Sequence, residues 1–85
     1  MKGAITLERG GDGEVVALEG EVLRAVLSRA FAPGAPVGMT VDAGDETVPV
    51  SAKTIRSVKR DDGRFDVRLR LVNLRREHRA ALERL

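Results

Sequence analysis

Residues 65–71 alternate strictly between apolar and charged side chains, and no other segment constrains the fold as tightly. Successive side chains of a β-strand point to opposite faces of its sheet, so this alternation predicts a strand with one face in the core and the other in water. The apolar positions are Phe65, Val67, Leu69 and Leu71, and the charged positions are Asp66, Arg68 and Arg70. The chain therefore contains a half-buried strand in its C-terminal half.

Weaker strand signals precede this segment, separated by turns rich in glycine, proline or aspartate. The segment 47–58 alternates with a change of parity that predicts a bulge near Lys53-Thr54. Pro49 has no N–H for a ladder, so this segment is predicted to begin at a sheet edge. The predicted strands are 4–8, 14–19, 21–28, 37–42, 47–58 and 64–72. Short strands at this spacing predict a mainly β fold, either a small antiparallel barrel or a sandwich.

Residues 14–31 are open to two interpretations. Their apolar residues recur every three or four positions, which is typical of an amphipathic helix. Gly20 would stand in the middle of that helix, where it costs about 1 kcal/mol relative to Ala, and the Val and Phe residues of the segment favour strands. The alternative is a pair of strands, 14–19 and 21–28, joined tightly at Gly20, and this is the interpretation we favour.

A helix is predicted over residues 74–85, with the side chain of Asn73 as its cap. So short a helix is marginal alone, and its apolar stripe must pack on the rest of the fold or on another chain. The stripe consists of Leu74, His78, Ala81, Leu82 and Leu85. We favour self-association through this interaction helix, because a chain of 85 residues buries only a modest fraction of its surface.

The composition excludes most kinds of reactive site. There is no Cys, so disulfides, thiolate nucleophiles and structural zinc sites are excluded together. The single His, His78, stands in no catalytic motif. We therefore expect no enzyme activity, no metal and no cofactor. No apolar run reaches the roughly 18 residues of a membrane span, and no signal-peptide core is present, so a cytoplasmic location is expected.

Charge is distributed unevenly along the chain. Residues 1–52 carry four basic and eight acidic side chains, a net of −4, whereas residues 53–85 carry eleven and five, a net of +6. Most of the basic residues are Arg, whose planar guanidinium binds phosphate and carboxylate through paired hydrogen bonds. The candidate ligand-binding residues are Arg56, Arg68 and Arg70, which could form a basic face for an anionic partner.

The order of these elements resembles that of the PilZ domain, the bacterial receptor fold for cyclic di-GMP. The similarity covers about residues 20–85 and is carried by three segments: Phe31-Ala32-Pro33-Gly34-Ala35-Pro36-Val37, Phe65-Asp66-Val67-Arg68-Leu69, and the helix that begins at Leu74. The length of 85 residues predicts a single domain over 1–85, because a second would have too few residues to bury its own core. The resemblance implies that this domain is an antiparallel six-stranded β-barrel with a C-terminal α-helix. It also implies a role in bacterial signalling, motility or surface behaviour.

The ligand motifs of that family are not found where the resemblance places them. Arg pairs four residues apart do occur, as Arg60/Arg64, Arg64/Arg68 and Arg75/Arg79, but they lie at the wrong end of the domain. Family members grip the dinucleotide with Arg-x-x-x-Arg before the barrel and Asp/Asn-x-Ser-x-x-Gly on the next strand. Here Val26, Pro49 and Ile55 stand two residues before the available serines. We therefore expect a non-enzymatic signalling or protein-interaction module, with a protein partner or a second copy, that does not bind cyclic di-GMP in the usual way.

Two alternatives stay open. The first is a cyclic di-GMP receptor that uses Arg56, Arg68 and Arg70 as a non-standard basic face. The second is a small nucleic-acid-binding barrel, which is disfavoured because the chain has only two Phe and no Trp or Tyr on which bases could stack.

Overall fold

Six antiparallel strands close into a barrel, and one short helix follows the last strand. The computed structural model describes residues 2–85. The elements are β1 Ala4–Leu7, β2 Asp12–Glu19, β3 Val22–Leu27, β4 Pro36–Asp42, β5 Thr47–Lys59, β6 Phe65–Leu71 and α1 Arg76–Glu83. Around the barrel the strands are ordered β1-β2-β3-β6-β5-β4, each antiparallel to its neighbours. The predicted six-stranded barrel with a C-terminal helix is thus confirmed.

The ambiguous segment 14–31 forms two strands and not a helix. β2 and β3 pair from Gly13↔Leu27 to Glu19↔Val22, and only Gly20 and Glu21 connect them. Gly20 has φ +62°, a left-handed conformation that glycine adopts without a steric penalty. The residue that weakened the helical interpretation is therefore the one that makes the tight turn.

The barrel interior is filled by apolar side chains from all six strands. Val67, Leu69 and Leu71 of β6 point inward and are buried, as their alternation predicts. Phe65 shares their face but is only half-buried, because it lies at the end of the strand and packs on the core from its margin. The largest fully buried side chains are Ile5, Leu23, Leu27, Met39, Val41, Val48, Val67 and Leu69.

Two bulges change the parity of their strands. In β5 the register shifts between Thr54 and Arg56, one residue beyond the predicted position. In β2 a second shift, which no change of parity in the sequence predicts, lies between Val15 and Ala17. Each bulge leaves an extra residue unpaired, and Val16 and Ile55 accordingly project from the barrel as exposed apolar side chains.

Pro49 lies in a part of β5 where the sheet does not need a backbone N–H from this residue. β5 pairs with β6 only from Ala52 onward, so the first residues of β5 pair with β4 alone. This part of β5 has one open edge, as the absence of an N–H at Pro49 predicts.

The helix starts later than predicted, and Asn73 is not its cap. α1 begins at Arg76 with Arg75 at the N-cap, and no side chain caps it. Asn73 instead has φ +52°, and Asn is one of the few residues that tolerates this left-handed conformation. It therefore serves the turn that redirects the chain from β6 onto the end of the barrel.

The apolar stripe of α1 packs on its own barrel. Ala81 and Leu82 are 1% and 2% exposed and belong to the same core as the strands. Leu74 and His78 are half-buried, and Leu85 is exposed. The centre of the stripe is therefore covered within one chain, which removes the physical argument for self-association through it, and Leu85 is the member that stays exposed.

Candidate interaction face

The strand register aligns three arginines from three adjacent strands. Arg24 of β3 is the direct partner of Arg68 of β6, and Arg68 is the direct partner of Arg56 of β5. All three are exposed on the outside of the barrel. Neighbouring strands lie about 4.8 Å apart, so this arginine row (Arg24, Arg68, Arg56) is about 10 Å long at the backbone.

Local structure explains why each member of the row faces outward. Arg24 lies between the buried Leu23 and Ala25, and Arg68 lies between two buried residues of β6. Arg56 depends on the β5 bulge: Thr54 is buried, and strict alternation would place Arg56 inside the barrel as well. The extra residue at Ile55 reverses that parity and directs Arg56 to the surface.

A second pair of cations lies beside the row on β5 and β6, two residues further along β6. Arg70 of β6 is the cross-strand partner of Lys53 of β5, and both are exposed. Two residues of a strand rise about 6.7 Å, so this pair flanks the arginine row at that distance. We call the five residues together the basic face. Within residues 2–85 no ion pair involves any member of it.

The arginine row opens into a shallow groove of about 270 Å³. Apolar side chains stand on one side of the row, with Val16 of the β2 bulge 52% exposed and Val58 of β5 42% exposed. Asp66 is the one carboxylate that lines the groove, and it accepts a hydrogen bond from Arg60 at 3.2 Å. The groove thus combines unpaired guanidinium groups with accessible apolar surface.

A second depression adjoins the groove at the β2 bulge. It measures about 340 Å³ and is bordered by Val16 and by Leu82 and Leu85 of the helix. Leu85 is the exposed member of the predicted interaction helix, so apolar surface continues from Val16 onto the C-terminal residue.

The predicted site residues are brought together only in part. Arg56 and Arg68 meet in the groove, whereas Arg70 lies in the flanking pair and does not line it. Arg24 was missed, because it belongs to the segment whose helical and strand interpretations competed. Its position between Leu23 and Ala25 was the available signal, since a strand there must direct Arg24 away from both neighbours.

The remaining candidates lie elsewhere on the barrel. His78 lines a separate groove beside the start of α1, together with Ser51 of β5 and Arg75.

Charged groups in the β5–β6 hairpin interact with one another: the backbone N–H of Arg64 and the guanidinium of Arg60 lower the pKa of Asp62. Asp62 stabilises a turn and is exposed there, so this pKa shift has a structural cause.

The described residues contain neither a metal-binding cluster nor a helix built to cross a bilayer. Among residues 2–85 no group of three or more His, Asp or Glu side chains could hold a metal ion. α1, the helix of this part of the chain, is too short and too polar for a transmembrane segment. The chemistry that the basic face can perform is the binding of carboxylate or phosphate groups.

Comparison of the chain with models of known protein families, with curated proteins and with solved structures finds no match in any of the three.

Proposed function

We propose that this barrel is a non-enzymatic protein-interaction module that binds an acidic partner protein through the basic face. The observation that carries the proposal is the arginine row: three guanidinium side chains stand in register, and none of them forms an ion pair within the part of the chain that the structure describes. Charged side chains that bear no ion pair within the fold are available to an external anion.

The row is costly for the fold itself. Like charges directly opposite one another on a sheet face destabilise the strand pair, and Arg68 faces an arginine on both sides. Several arginines elsewhere on the barrel do have carboxylate partners, such as Arg64 with Asp12 and Arg79 with Glu21. A bound acidic surface would remove the repulsion, which supports a binding role for the row.

The surroundings of the row favour a protein over a nucleic acid. Protein interfaces are enriched in Arg set among apolar side chains, and Val16, Ile55 and Val58 supply the apolar part here. Neither Phe lies on this face: Phe31 and Phe65 are half-buried and pack on the core. Base stacking, which supplies much of the affinity of single-stranded nucleic acid, therefore has no platform at this groove.

Acidic residues at the border of the face also disfavour a phosphodiester ligand. Asp66 and Glu14 flank the row on one side, and Glu19 lies on β2 beyond the flanking pair. Carboxylates at these positions repel phosphates but can be accommodated by a protein partner that carries charges of both signs.

Cyclic di-GMP is the second candidate, favoured by the meeting of Arg56 and Arg68 in one groove. The resemblance to PilZ domains implies this ligand class, and the missing motifs disfavour it. We expect no micromolar binding, because neither an aromatic side chain nor Arg70 lines the groove where the guanine bases would have to be held.

Titration with three probes tests the proposal. Fluorescent poly-glutamate, cyclic di-GMP and an oligo-thymidylate are each added to the wild type, to Arg68→Gln and to Arg76→Gln, a control that removes an exposed arginine from α1. We expect poly-glutamate binding that weakens about tenfold in Arg68→Gln alone, the effect of about 1.4 kcal/mol from one charge-assisted contact. Equal losses in both variants, or tighter binding of either nucleotide probe through Arg68, would overturn the proposal.

A further inference from the structure

We infer that the acidic segment recognised by the basic face is an α-helix that lies across the strands, with its carboxylates along the arginine row. This inference rests on the proposed function and adds the secondary structure of the partner. It follows from the spacing of the row, from the arrangement of apolar and basic residues beside it, and from the pairing of the strands that carry it.

The spacing of the row matches one face of a helix. Neighbouring arginines stand on strands about 4.8 Å apart, which gives about 10 Å between Arg24 and Arg56. On a helix, carboxylates at positions i, i+4 and i+7 lie on one face and span about 10.5 Å at a rise of 1.5 Å per residue. In an extended peptide, three alternate side chains span about 13 Å and overshoot the row.

The two sides of the row differ in chemistry. Val16 and Val58 lie on one side, where Asp66 stands beside Val58 and accepts a hydrogen bond from Arg60. Val16, Val58 and Asp66 all line the groove. Arg70 and Lys53 lie on the other side. An amphipathic helix fits this arrangement when its acidic stripe has apolar residues on one border and further carboxylates on the other.

The strand pairing argues against recognition by strand addition. β3 and β6 are each hydrogen-bonded to a neighbour on both sides, so neither Arg24 nor Arg68 lies on an open edge. An extended peptide that binds to a sheet does so by pairing with such an edge. A partner at this row must therefore be held by side chains, and a helix satisfies its own backbone hydrogen bonds.

The occupied stripe of α1 excludes one simple source of the helix. Ala81 and Leu82 are buried in the core of their own barrel, so α1 of a second copy could reach this face only by leaving that core. α1 also carries only two acidic residues against four basic ones over residues 75–84. The partner helix is therefore expected to come from another protein.

Three synthetic peptides of equal composition and charge test this inference against the full 85-residue chain. The first is an alanine-based helix with Glu at i, i+4 and i+7 and Leu beside that stripe. The second has the same residues with Glu at alternate positions. The third keeps the first order but has a central Ala exchanged for a Pro taken from its terminus, which breaks the helix. Fluorescence anisotropy gives the dissociation constant of each, and circular dichroism gives the helix content.

We expect the first peptide to bind at least about tenfold more tightly than the other two, a difference of about 1.4 kcal/mol. Its advantage should disappear in Arg68→Gln and in Arg24→Gln and persist in Arg76→Gln. If all three peptides bind equally and still depend on Arg68, the helical inference is overturned and the proposed function stands. If no peptide shows a dependence on Arg68 or Arg24, both are overturned, provided that thermal melts show each variant folded.

Discussion

Arg68 lies directly opposite Arg56 across the β5–β6 ladder, and among residues 2–85 neither side chain forms an ion pair with a carboxylate. Arg24 faces Arg68 from the other side, so Arg68 has two like-charged neighbours at cross-strand distance. Repulsion of this kind is a cost that the folded state carries when no partner is bound.

Neutralising Arg68 should therefore stabilise the free barrel. We expect Arg68→Gln to raise the free energy of unfolding by about 0.5–1 kcal/mol at low salt, which is a few degrees in Tm for a domain of this size. The gain should shrink at high salt, because the repulsion is screened. Thermal unfolding at two ionic strengths checks this, with Arg76→Gln as the control. A gain that does not depend on salt, or a loss of stability, would show that the row is not under electrostatic strain.

The side chain of Arg79 connects α1 to the β2–β3 turn through two hydrogen bonds. Its guanidinium donates to the Glu21 carboxylate at 2.7 Å and to the backbone oxygen of Gly20 at 2.9 Å. Arg79→Met keeps an apolar stem but removes both contacts, and we expect a loss of about 1 kcal/mol. A double-mutant cycle with Glu21→Gln isolates the ion pair. Strictly additive single and double variants would mean that the pair is not coupled in solution.

The interior of β6 should be most sensitive at Leu69. This side chain is fully buried in the centre of the strand, whereas Phe65 is half-buried at its end. Leu69→Ala should cost about 2–5 kcal/mol through lost burial and a cavity, and Phe65→Ala should cost less. Urea unfolding of both variants ranks them. A larger loss at Phe65 would place the centre of the core at the end of the barrel.

Alternation of apolar and charged residues predicts which side chains of one strand share a face, but it does not predict how that strand pairs with its neighbours. β6 follows its pattern from Phe65 to Leu71, so its inward and outward faces were predictable. The turn at Gly20 was predictable for a related reason, since glycine both weakens a helix and permits a left-handed turn.

Register, in contrast, depends on residues that are distant in sequence. The alignment of Arg24 with Arg68 follows from the pairing of β3 with β6, which no local pattern encodes. The outward position of Arg56 needs a bulge at one particular residue, and the change of parity in the sequence locates that bulge only to within a residue or so of its position between Thr54 and Arg56. Asn73 was assigned as a cap because Asn favours caps, yet Asn also favours the left-handed turn that it makes here.

Thr54 is a buried polar residue whose hydroxyl has no hydrogen-bond partner in the part of the chain that the structure describes. Its backbone N–H donates to Ala35, and its backbone oxygen accepts from Gly34. Thr54→Val keeps the shape and these backbone bonds and removes the unsatisfied hydroxyl. We expect it to stabilise the fold by about 1 kcal/mol in chemical denaturation. Destabilisation by that amount would show that the hydroxyl is satisfied by buried water.

Amide chemical-shift mapping shows whether the partner binds at the basic face. The helical acidic peptide is titrated into isotope-labelled protein. We expect the largest shifts at the five residues of the basic face and at the two valines beside it: Arg24, Lys53, Arg56, Arg68, Arg70, Val16 and Val58. Shifts that cluster instead around His78 and the start of α1, or that spread evenly over the barrel, would contradict binding at the basic face.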